Sequence, residues 1–320
     1  MLTNAQAAAL RANLRGQLIL PQDSPYDGAR RVFNAMIDKR PAAIARCTGA
    51  ADVVECVKFA REHGVMVSVR GGGHGVAGMA ICNDGLVIDL STMKTVRVDP
   101  KRRVARADPG VLLGEFDRET QAFGLATTMG TFSVTGIAGL TLGGGIGWLM
   151  GKHGFACDNL ISADVVTADG QFLTASENEN ADLFWALRGG GGNFGVVTSF
   201  EYQLHEQGPV YAGFLAYPPE QFASVQTHMR DFAKDAPDEV ALQGGVITKE
   251  GVTMCVAVAC YSGDVKKAEQ VLKPLRAFGK PLVEQFDVMP YRVFQCFPDW
   301  WAEPNKQHYW RSGFFSELRP

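Results

Sequence analysis

Apolar residues in the first third of the chain recur with helical spacing in two segments. In residues 50–63 they return every three or four positions, which predicts a helix that Gly64 ends. A second helix is predicted over residues 111–123, where Gly124 follows. Short apolar runs around these helices predict strands, which lie at residues 42–47, 66–69, 86–90, 96–98 and 104–107.

The middle of the chain combines a glycine-rich stretch, residues 130–151, with further regular elements. Two apolar runs separated by Asp169-Gly170 predict a β-hairpin, and a helix and a strand are predicted after it. These elements lie at residues 161–168, 172–174, 179–188 and 195–204.

The pattern changes after Gly208-Pro209, where glycine clusters end and the apolar runs become longer. We therefore expect a domain boundary at about residue 207, between residues 1–207 and residues 208–320. The second region is predicted to be a sheet with helices on one face, a layer able to form a substrate cavity. Its strands are predicted at residues 211–217, 240–248 and 252–261, and its helices near 219–234 and 264–278.

Composition indicates a globular protein of two domains. The chain has 320 residues, 46% of them hydrophobic, and a formal net charge of −3. This charge gives no reason to expect a nucleic acid or an anionic membrane as partner. The N-terminus lacks the basic and apolar segments of a signal peptide, and no apolar run is long enough to span a bilayer. We therefore expect a cytoplasmic location.

The seven cysteines are scattered, and no CxxC or Cys/His ligand spacing appears. A metal site is therefore not expected, and free thiols in a reducing compartment are the simplest interpretation.

The most informative segment is residues 66–78, where a strand leads into Arg70, three glycines and His74. Successive glycines let a backbone approach a ligand closely and point N–H groups at phosphate oxygens. The guanidinium of Arg70 suits a pyrophosphate. With glycine on both sides, the His74 ring is free to reach the molecule that carries those phosphates. The alternative is a loop histidine without a ligand.

Two matches to the dinucleotide fingerprint GxGxxG raise a second function, a nicotinamide-dependent dehydrogenase. They lie at Gly73–Gly78 and at Gly190–Gly195. The fingerprint requires a helix after its last glycine, whereas turn and strand patterns follow both segments here. We therefore expect neither to bind a dinucleotide in the Rossmann manner.

A second glycine cluster lies between residues 131 and 148, with five glycines in the nine positions from 139 to 147. Each glycine costs about 1 kcal/mol relative to alanine in a helix, so no stable helix interior is expected there. A flexible linker is the alternative, but Leu140, Leu142 and Trp148 make the segment too apolar for one. A loop that contacts a ligand is favoured.

Two later segments carry polar candidates. Asp158 and Asn159 precede a predicted strand and are suited either to capping local backbone or to binding a ribose. Asn193 follows a run of four glycines, Gly189–Gly192, and could hydrogen bond to a polar heterocycle.

These four segments, in this order, resemble the flavoproteins of the vanillyl-alcohol-oxidase type, which have an FAD-binding PCMH-type domain. Within them they resemble the berberine-bridge-enzyme-like oxidases, including the bacterial 6-hydroxy-D-nicotine-oxidase-like group. The resemblance is strong over residues 40–205 and weak elsewhere. It implies an α+β fold in which a two-lobed FAD-binding domain, residues 1–207, precedes a partial α+β substrate domain with an antiparallel sheet, residues 208–320.

The resemblance also implies roles for particular residues. His74 would bond covalently to the C8α methyl of FAD. A second link in many members comes from a cysteine eleven residues before the glycine triplet, but that position is Phe132 here, so a single tether is expected. The other residues implied in cofactor binding are Arg70, Gly71, Gly72, Gly73, Gly75, Gly139, Gly143, Gly144, Gly145, Asp158, Asn159, Asn193, Gly195 and Val197.

The implied reaction passes hydride from a CH–OH or CH–NH group to the flavin, with O2 as acceptor and H2O2 as product. The substrate would be a small alcohol, sugar, amine or polyketide. No catalytic base is assigned; Tyr309, Trp310 and Arg311 are candidates for lining the cavity, with a core or surface position as the alternative. The C-terminal tyrosine-rich segment of relatives is missing, so we also consider a truncated flavin-binding protein without turnover. Oligomeric state is not predicted.

Overall fold

The computed structural model describes residues 2–313, which form the α+β structure that the sequence predicts. The helices are α1 (Asn4–Asn13), α2 (Tyr26–Ala29), α3 (Ala50–His63), α4 (Leu113–Gln121), α5 (Ile137–Leu142), α6 (Met150–His153), α7 (Ala181–Leu187), α8 (Phe222–Asp235), α9 (Ala268–Arg276) and α10 (Tyr291–Gln295). The strands are β1 (Gln17–Ile19), β2 (Ala43–Arg46), β3 (Val67–Arg70), β4 (Leu86–Asp89), β5 (Val96–Asp99), β6 (Val104–Ala107), β7 (Leu125–Ala126), β8 (Leu160–Val166), β9 (Phe172–Ser176), β10 (Val196–Gln203), β11 (His205–Glu206), β12 (Val210–Tyr217), β13 (Val240–Lys249), β14 (Val252–Tyr261) and β15 (Val283–Met289).

The first sheet has the order β1-β2-β4-β3, with β2 and β3 both parallel to β4. Helix α3 connects β2 to β3 and buries its apolar face, including Val53 and Val57, against this sheet. It ends at Gly64, whose φ of 62° is the left-handed conformation that glycine adopts at low cost. The parallel arrangement brings the carboxyl ends of β3 and β4 side by side, and the loop with His74 leaves from there.

The second sheet is antiparallel, in the order β5-β6-β10-β8-β9. The predicted hairpin is confirmed as β8 and β9, paired from Ser162–Ser176 to Val166–Phe172. Helix α4 packs its buried residues, Phe116 among them, into the core of this layer.

The third group of elements follows residue 209. Strands β13, β14, β12 and β15 form an antiparallel sheet, and helices α8 and α9 cover one of its faces. On its other face, Val258 and Cys260 pack with Trp148 from the glycine-rich segment and with α10. This sheet therefore joins the first part of the molecule through a continuous apolar contact. Within residues 2–313, no helix has both the length and the apolar character to cross a membrane.

The glycine-rich segment differs from its prediction at one end. Gly139 lies inside the short helix α5, although no helix was expected from residue 139 onward. The helix persists because Ile137, Ala138 and Leu142 are buried, and this burial outweighs the cost of one glycine. It ends at Gly143, the first glycine of the triplet, so the expectation holds for the rest of the cluster. The sequence also gave no prediction for β15 and α10.

Candidate functional site

The loop that carries His74 lies against the start of α5. A Cβ built on Gly72 would lie 2.6 Å from the Cα of Gly136, and one built on Gly71 would lie 2.9 Å from the Pro109 carbonyl oxygen. Glycine is required at Gly72 because two backbones touch there. The first and second glycine segments of the sequence therefore meet in space.

The second segment in turn contacts the third and the fourth. The carbonyl of Leu142 accepts hydrogen bonds from the backbone N–H groups of Gly189 and Gly191, at 3.1 and 2.8 Å. The carbonyls of Gly144 and Gly145 accept from Cys157 and Ala156, each at 2.9 Å. All four glycine-bearing segments thus form one continuous backbone surface.

Several glycines on this surface leave open space where a side chain would stand. A Cβ on Gly75, Gly139 or Gly144 would meet no atom within 4 Å. By contrast, a Cβ on Gly145 would lie 2.5 Å from the Ala156 methyl, and the φ of Gly145 is +88°. Some of the predicted glycines are therefore needed for packing, and others leave bare backbone beside open space.

A cleft of about 410 Å³, here called the His74 cleft, opens beside this surface. Its walls come from the His74 loop, from residues before α4 and from a segment following Trp301. They are Arg31, Val32, Phe33, Arg70, Gly71, Gly72, Gly73, His74, Ser91, Lys94, Gly110, Leu112, Val134, Ala302, Pro304 and Asn305.

His74 is half-buried in this cleft and stacks on Phe33, with ring centroids 3.9 Å apart. Its Nε2 is buried, and no described residue gives it a hydrogen-bond partner. Burial lowers the pKa of His74, and the nearby His308 lowers it further. The imidazole is therefore neutral at pH 7, and its Nε2 has no hydrogen-bond partner within residues 2–313.

Arg70 is placed differently from its predicted role. Its guanidinium forms a buried bidentate ion pair with Asp89, through Nε at 3.0 Å and through Nη2. Nη1 donates to the carbonyls of Ala29 and Arg31. Every guanidinium nitrogen already has a partner in the protein, so Arg70 holds the end of β3 in place. Its contact with a pyrophosphate stays a prediction.

The polar candidates of the third and fourth segments also have partners in the fold. The Asp158 carboxylate accepts from the backbone N–H of Phe155 at 2.9 Å, which is the capping role weighed above. Asn159 is buried and donates to the carbonyls of His153 and Phe155, both at 2.8 Å. Asn193 is exposed and donates to the Gly190 carbonyl at 2.9 Å. Their contacts with a ribose or a heterocycle stay predictions.

The remaining candidates lie at different depths. Gly195 has a φ of +145°, and a Cβ there would lie 2.6 Å from the Val166 carbonyl oxygen, so β10 needs glycine at its start. Val197 points into the core of the second sheet.

Neither match to the dinucleotide fingerprint is followed by a helix. Since β10 begins directly after Gly195, the GxGxxG match at Gly190–Gly195 opens no helix. Residues after Gly78 run through turns to β4, so the other match opens none either.

The candidates near the C-terminus lie at the surface. Tyr309 is 72% and Trp310 is 56% exposed, and Arg311 donates to the Tyr309 hydroxyl at 2.7 Å. None of the three is a wall of the His74 cleft. Phe33 and His308 are not predicted from the sequence, because no local pattern marks residues whose contacts span most of the chain.

Comparison with known proteins supplies the family. A model of the FAD binding domain matches residues 41–176. The chain is 36% identical over 286 residues to (R)-6-hydroxynicotine oxidase of Paenarthrobacter nicotinovorans, covering 87% of this chain and 62% of that protein. It is 32% identical over 312 residues to the FAD-linked oxidoreductase YgaK of Bacillus subtilis (strain 168), covering 96% and 69%. The chain belongs to the FAD-linked oxidoreductases.

Solved structures of oxidases share this fold. The 6-hydroxy-D-nicotine oxidase of Arthrobacter nicotinovorans superimposes with a TM-score of 0.86 at 33% identity, covering 93% of this chain and 66% of that one. A chitooligosaccharide oxidase gives a TM-score of 0.81 at 27% identity, covering 91% and 63%. The chain spans about three fifths of the length of the curated relatives that it matches.

The residues of this FAD-linked oxidoreductase fit the cofactor of its family. The His74 Nε2 is buried without a partner among the described residues, as a nitrogen awaiting a ligand would be. Bare backbone at Gly75, Gly139 and Gly144 borders open space, which leaves room for a flat ring or a diphosphate. The Phe132 ring also faces this region, with its centroid 6.4 Å from that of the His74 ring.

Proposed function

We propose that this chain is an FAD-dependent oxidase that carries its cofactor covalently on His74. The observation that supports it is the unpartnered Nε2 of a neutral imidazole, set in a loop whose backbone joins the other glycine segments. FAD, when bound, accepts a hydride equivalent from a CH–OH or CH–NH group, and O2 takes the two electrons to give H2O2.

Attachment through His74 requires a neutral ring nitrogen. In the proposed attachment, a C–N bond to the His74 ring would replace one C–H bond of the C8α methyl and the imidazole N–H, and O2 would take up the two protons and two electrons. A protonated imidazole has no lone pair for this bond. The lowered pKa of His74, caused first by burial and then by His308, keeps the ring in the reactive form at neutral pH.

Phe132 occupies the position of the cysteine that makes the second link in many relatives, and a phenyl ring forms no such bond. We therefore propose a single tether. The glycine backbone that includes Gly71, Gly73 and Gly143 would carry the diphosphate and the edge of the ring system.

The substrate is proposed to be a small alcohol, sugar, amine or polyketide. Relatives include proteins named for the oxidation of hydroxynicotine, an amine, and of chitooligosaccharides, which are sugars. We further propose a division at about residue 207, with an FAD-binding part before it and a substrate-binding part, rich in long strands, after it. A cytoplasmic location belongs to the same proposal.

Acid precipitation of the purified protein tests the cofactor assignment. Flavin that stays with the pellet and co-migrates with the chain under denaturing conditions is expected for the wild type. His74→Ala is expected to release all flavin into the acid supernatant. His228→Ala, which removes an imidazole from α8, is the matched control and should keep its flavin. Acid-stable flavin in His74→Ala would overturn the attachment site.

Peroxide release with a panel of alcohols, sugars and amines tests the oxidase assignment. Production of H2O2 in step with O2 consumption supports an oxidase. Bound flavin that no member of the panel reduces would instead identify a flavin-binding protein without turnover.

A further inference from the structure

A segment following Trp301 lies along residues 33–35 beside the His74 cleft. The backbone N–H of Ala35 donates to the Lys306 carbonyl at 2.9 Å. The Asn34 side chain accepts from the His308 N–H at 3.0 Å and donates to the His308 carbonyl at 2.9 Å. It also donates to the Val76 carbonyl at 2.9 Å, in the loop that carries His74. One buried amide therefore connects His308 to the His74 loop.

The rings of this region form a stack of three. Phe33 lies 3.9 Å from His74 and 4.4 Å from His308 between ring centroids, each pair inclined by 15°. Two imidazoles cannot share one face of a benzene ring at these distances without overlapping. His74 and His308 therefore lie on opposite faces of Phe33, which is held between them.

Stacking on Phe33 is the contact that these two imidazoles share. The Nε2 atoms of His74 and His308 are both buried without a hydrogen-bond partner among residues 2–313, so no bond at that atom fixes either ring. Phe33 itself is tied to the His74 loop, because its backbone N–H donates to the Gly73 carbonyl at 3.1 Å. Packing against Phe33 therefore restricts the torsions of the His74 side chain, and His308 packs against the other face of Phe33.

We propose that His308 and Phe33 are positioning residues that fix the ring plane of His74. The inference rests on the proposed attachment of flavin to His74 and names the groups that prepare that residue. His308 acts through Phe33 on orientation and through its charge on protonation.

The other charged groups near His74 differ from His308 in their effect on the pKa of His74. Asp299 acts in the opposite direction, raising the pKa of His74, and its carboxylate accepts hydrogen bonds from Ser133. Arg70 is neutralised by Asp89, and Lys94 is paired with Glu115 at 2.7 Å. Arg31, also a wall of the cleft, is exposed to solvent, where its charge is screened.

The test uses His308→Ala, which removes ring and charge, and His308→Phe, which keeps an aromatic ring and removes the charge. His228→Ala is the matched control, because His228 also stacks on a phenylalanine, Phe278, at 4.6 Å. The full-length apoprotein is prepared under riboflavin limitation. Two quantities are measured: the rate of acid-stable FAD incorporation, and the pH profile of diethyl pyrocarbonate modification at His74, read by peptide mass.

We expect His308→Ala to slow FAD incorporation at least about tenfold, because a misoriented nucleophile loses most of its advantage. His308→Phe should restore most of the rate at alkaline pH. Its modification profile at His74 should shift to higher pH, since the imidazole that lowers the His74 pKa has gone. His228→Ala should match the wild type in both measurements.

The inference would be overturned if His308→Ala incorporated FAD at the wild-type rate. It would also be overturned if His228→Ala slowed FAD incorporation as much as His308→Ala does. The modification profile needs no flavin, so it separates this inference from the proposed function. If the wild type incorporates no acid-stable FAD, the proposed function fails. The positioning role would be overturned if diethyl pyrocarbonate modified His74 with the wild-type pH profile in both His308→Phe and His308→Ala. This holds whether or not flavin is incorporated.

Discussion

The backbones of Gly72 and Gly136 touch, since a Cβ on Gly72 would lie 2.6 Å from the Gly136 Cα and 2.7 Å from its nitrogen. This contact joins the His74 loop to the start of α5. A side chain on either residue must push the two segments apart.

Gly72→Ala is therefore expected to weaken FAD binding at least about tenfold and to destabilise the fold by about 1–3 kcal/mol, the usual cost of overpacking. Flavin titration and urea unfolding measure the two effects. Gly208→Ala is the control, because a Cβ there meets nothing within 4 Å. Equal behaviour of both variants would show that the two loops separate without penalty.

The buried ion pair of Arg70 and Asp89 supports a second prediction. Asp89 is 0% exposed and also accepts from the Ser91 backbone N–H at 3.1 Å. Asp89→Asn leaves the Arg70 charge buried without a counter-ion and is expected to cost about 3–5 kcal/mol in urea unfolding. Glu206→Gln breaks the exposed pair with Arg103 and should cost at most about 1 kcal/mol. A loss at Asp89→Asn no larger than at Glu206→Gln would contradict the structural role.

Asp117 on α4 gives a prediction about how stability depends on pH between about pH 4 and about pH 8. Its side chain is fully buried, both carboxylate oxygens lack a partner among the described residues, and burial raises its pKa from 3.8 to about 8. Between about pH 4 and about pH 8 the folded protein keeps a proton that the unfolded chain releases. The free energy of unfolding should therefore fall as pH rises through this window and level off above it.

A pKa raised from 3.8 to about 8, at about 1.4 kcal/mol for each pH unit, sets an upper limit of about 6 kcal/mol on that fall. Asp117→Asn should flatten the pH dependence measured by urea unfolding between about pH 5 and about pH 8. Glu119→Gln, an exposed position on the same helix, should leave it unchanged. A wild-type stability that does not fall over this range would refute the prediction.

The stacked pair His153 and His205 predicts the opposite dependence at acid pH. Their ring centroids are 3.8 Å apart, and burial, the facing His205 and Lys152 lower the pKa of His153 to about 4. Between about pH 6.5 and about pH 4 the unfolded chain takes up a proton that the folded protein excludes. Stability is therefore complete above this window and is lost as pH falls through it.

Replacing His153 by Gln removes this titration and should reduce the acid loss of stability, read as the thermal midpoint at about pH 5 relative to about pH 7. His63→Gln, an exposed histidine at the end of α3, is the control. A steeper acid loss in His153→Gln than in the wild type would count against the argument.

Local sequence was sufficient for elements whose own side chains set their geometry. The apolar spacing of residues 50–63 predicted α3 with its observed bounds, Ala50–His63. The hairpin about Asp169-Gly170 was predicted for the same reason, since a tight turn links adjacent strands. Gly139 shows the limit of propensity, because burial of neighbouring residues maintains a helix through it.

The candidate site likewise has residues that the local sequence singles out and contacts that only the folded structure shows. His74 and the glycine segments were found from composition and order, because a cofactor loop concentrates unusual residues in a short stretch. Arg70 was expected to face a ligand, yet its partner Asp89 lies 19 residues away on the neighbouring strand. Which donors remain free for a ligand depends on such contacts, and the residue type alone does not give them.

By itself, the sequence predicted the α+β class and the order of the glycine segments, and it singled out His74 as the candidate for holding the proposed cofactor. Only the tertiary structure decided that Gly72 contacts Gly136 and that Arg70 forms an ion pair with Asp89. It also decided that Asn34 hydrogen bonds to His308, 274 residues away. The physical reason is the separation along the sequence between the residues in contact. Periodicity reports what a segment does with its immediate neighbours, whereas these contacts exist only after distant segments have packed together.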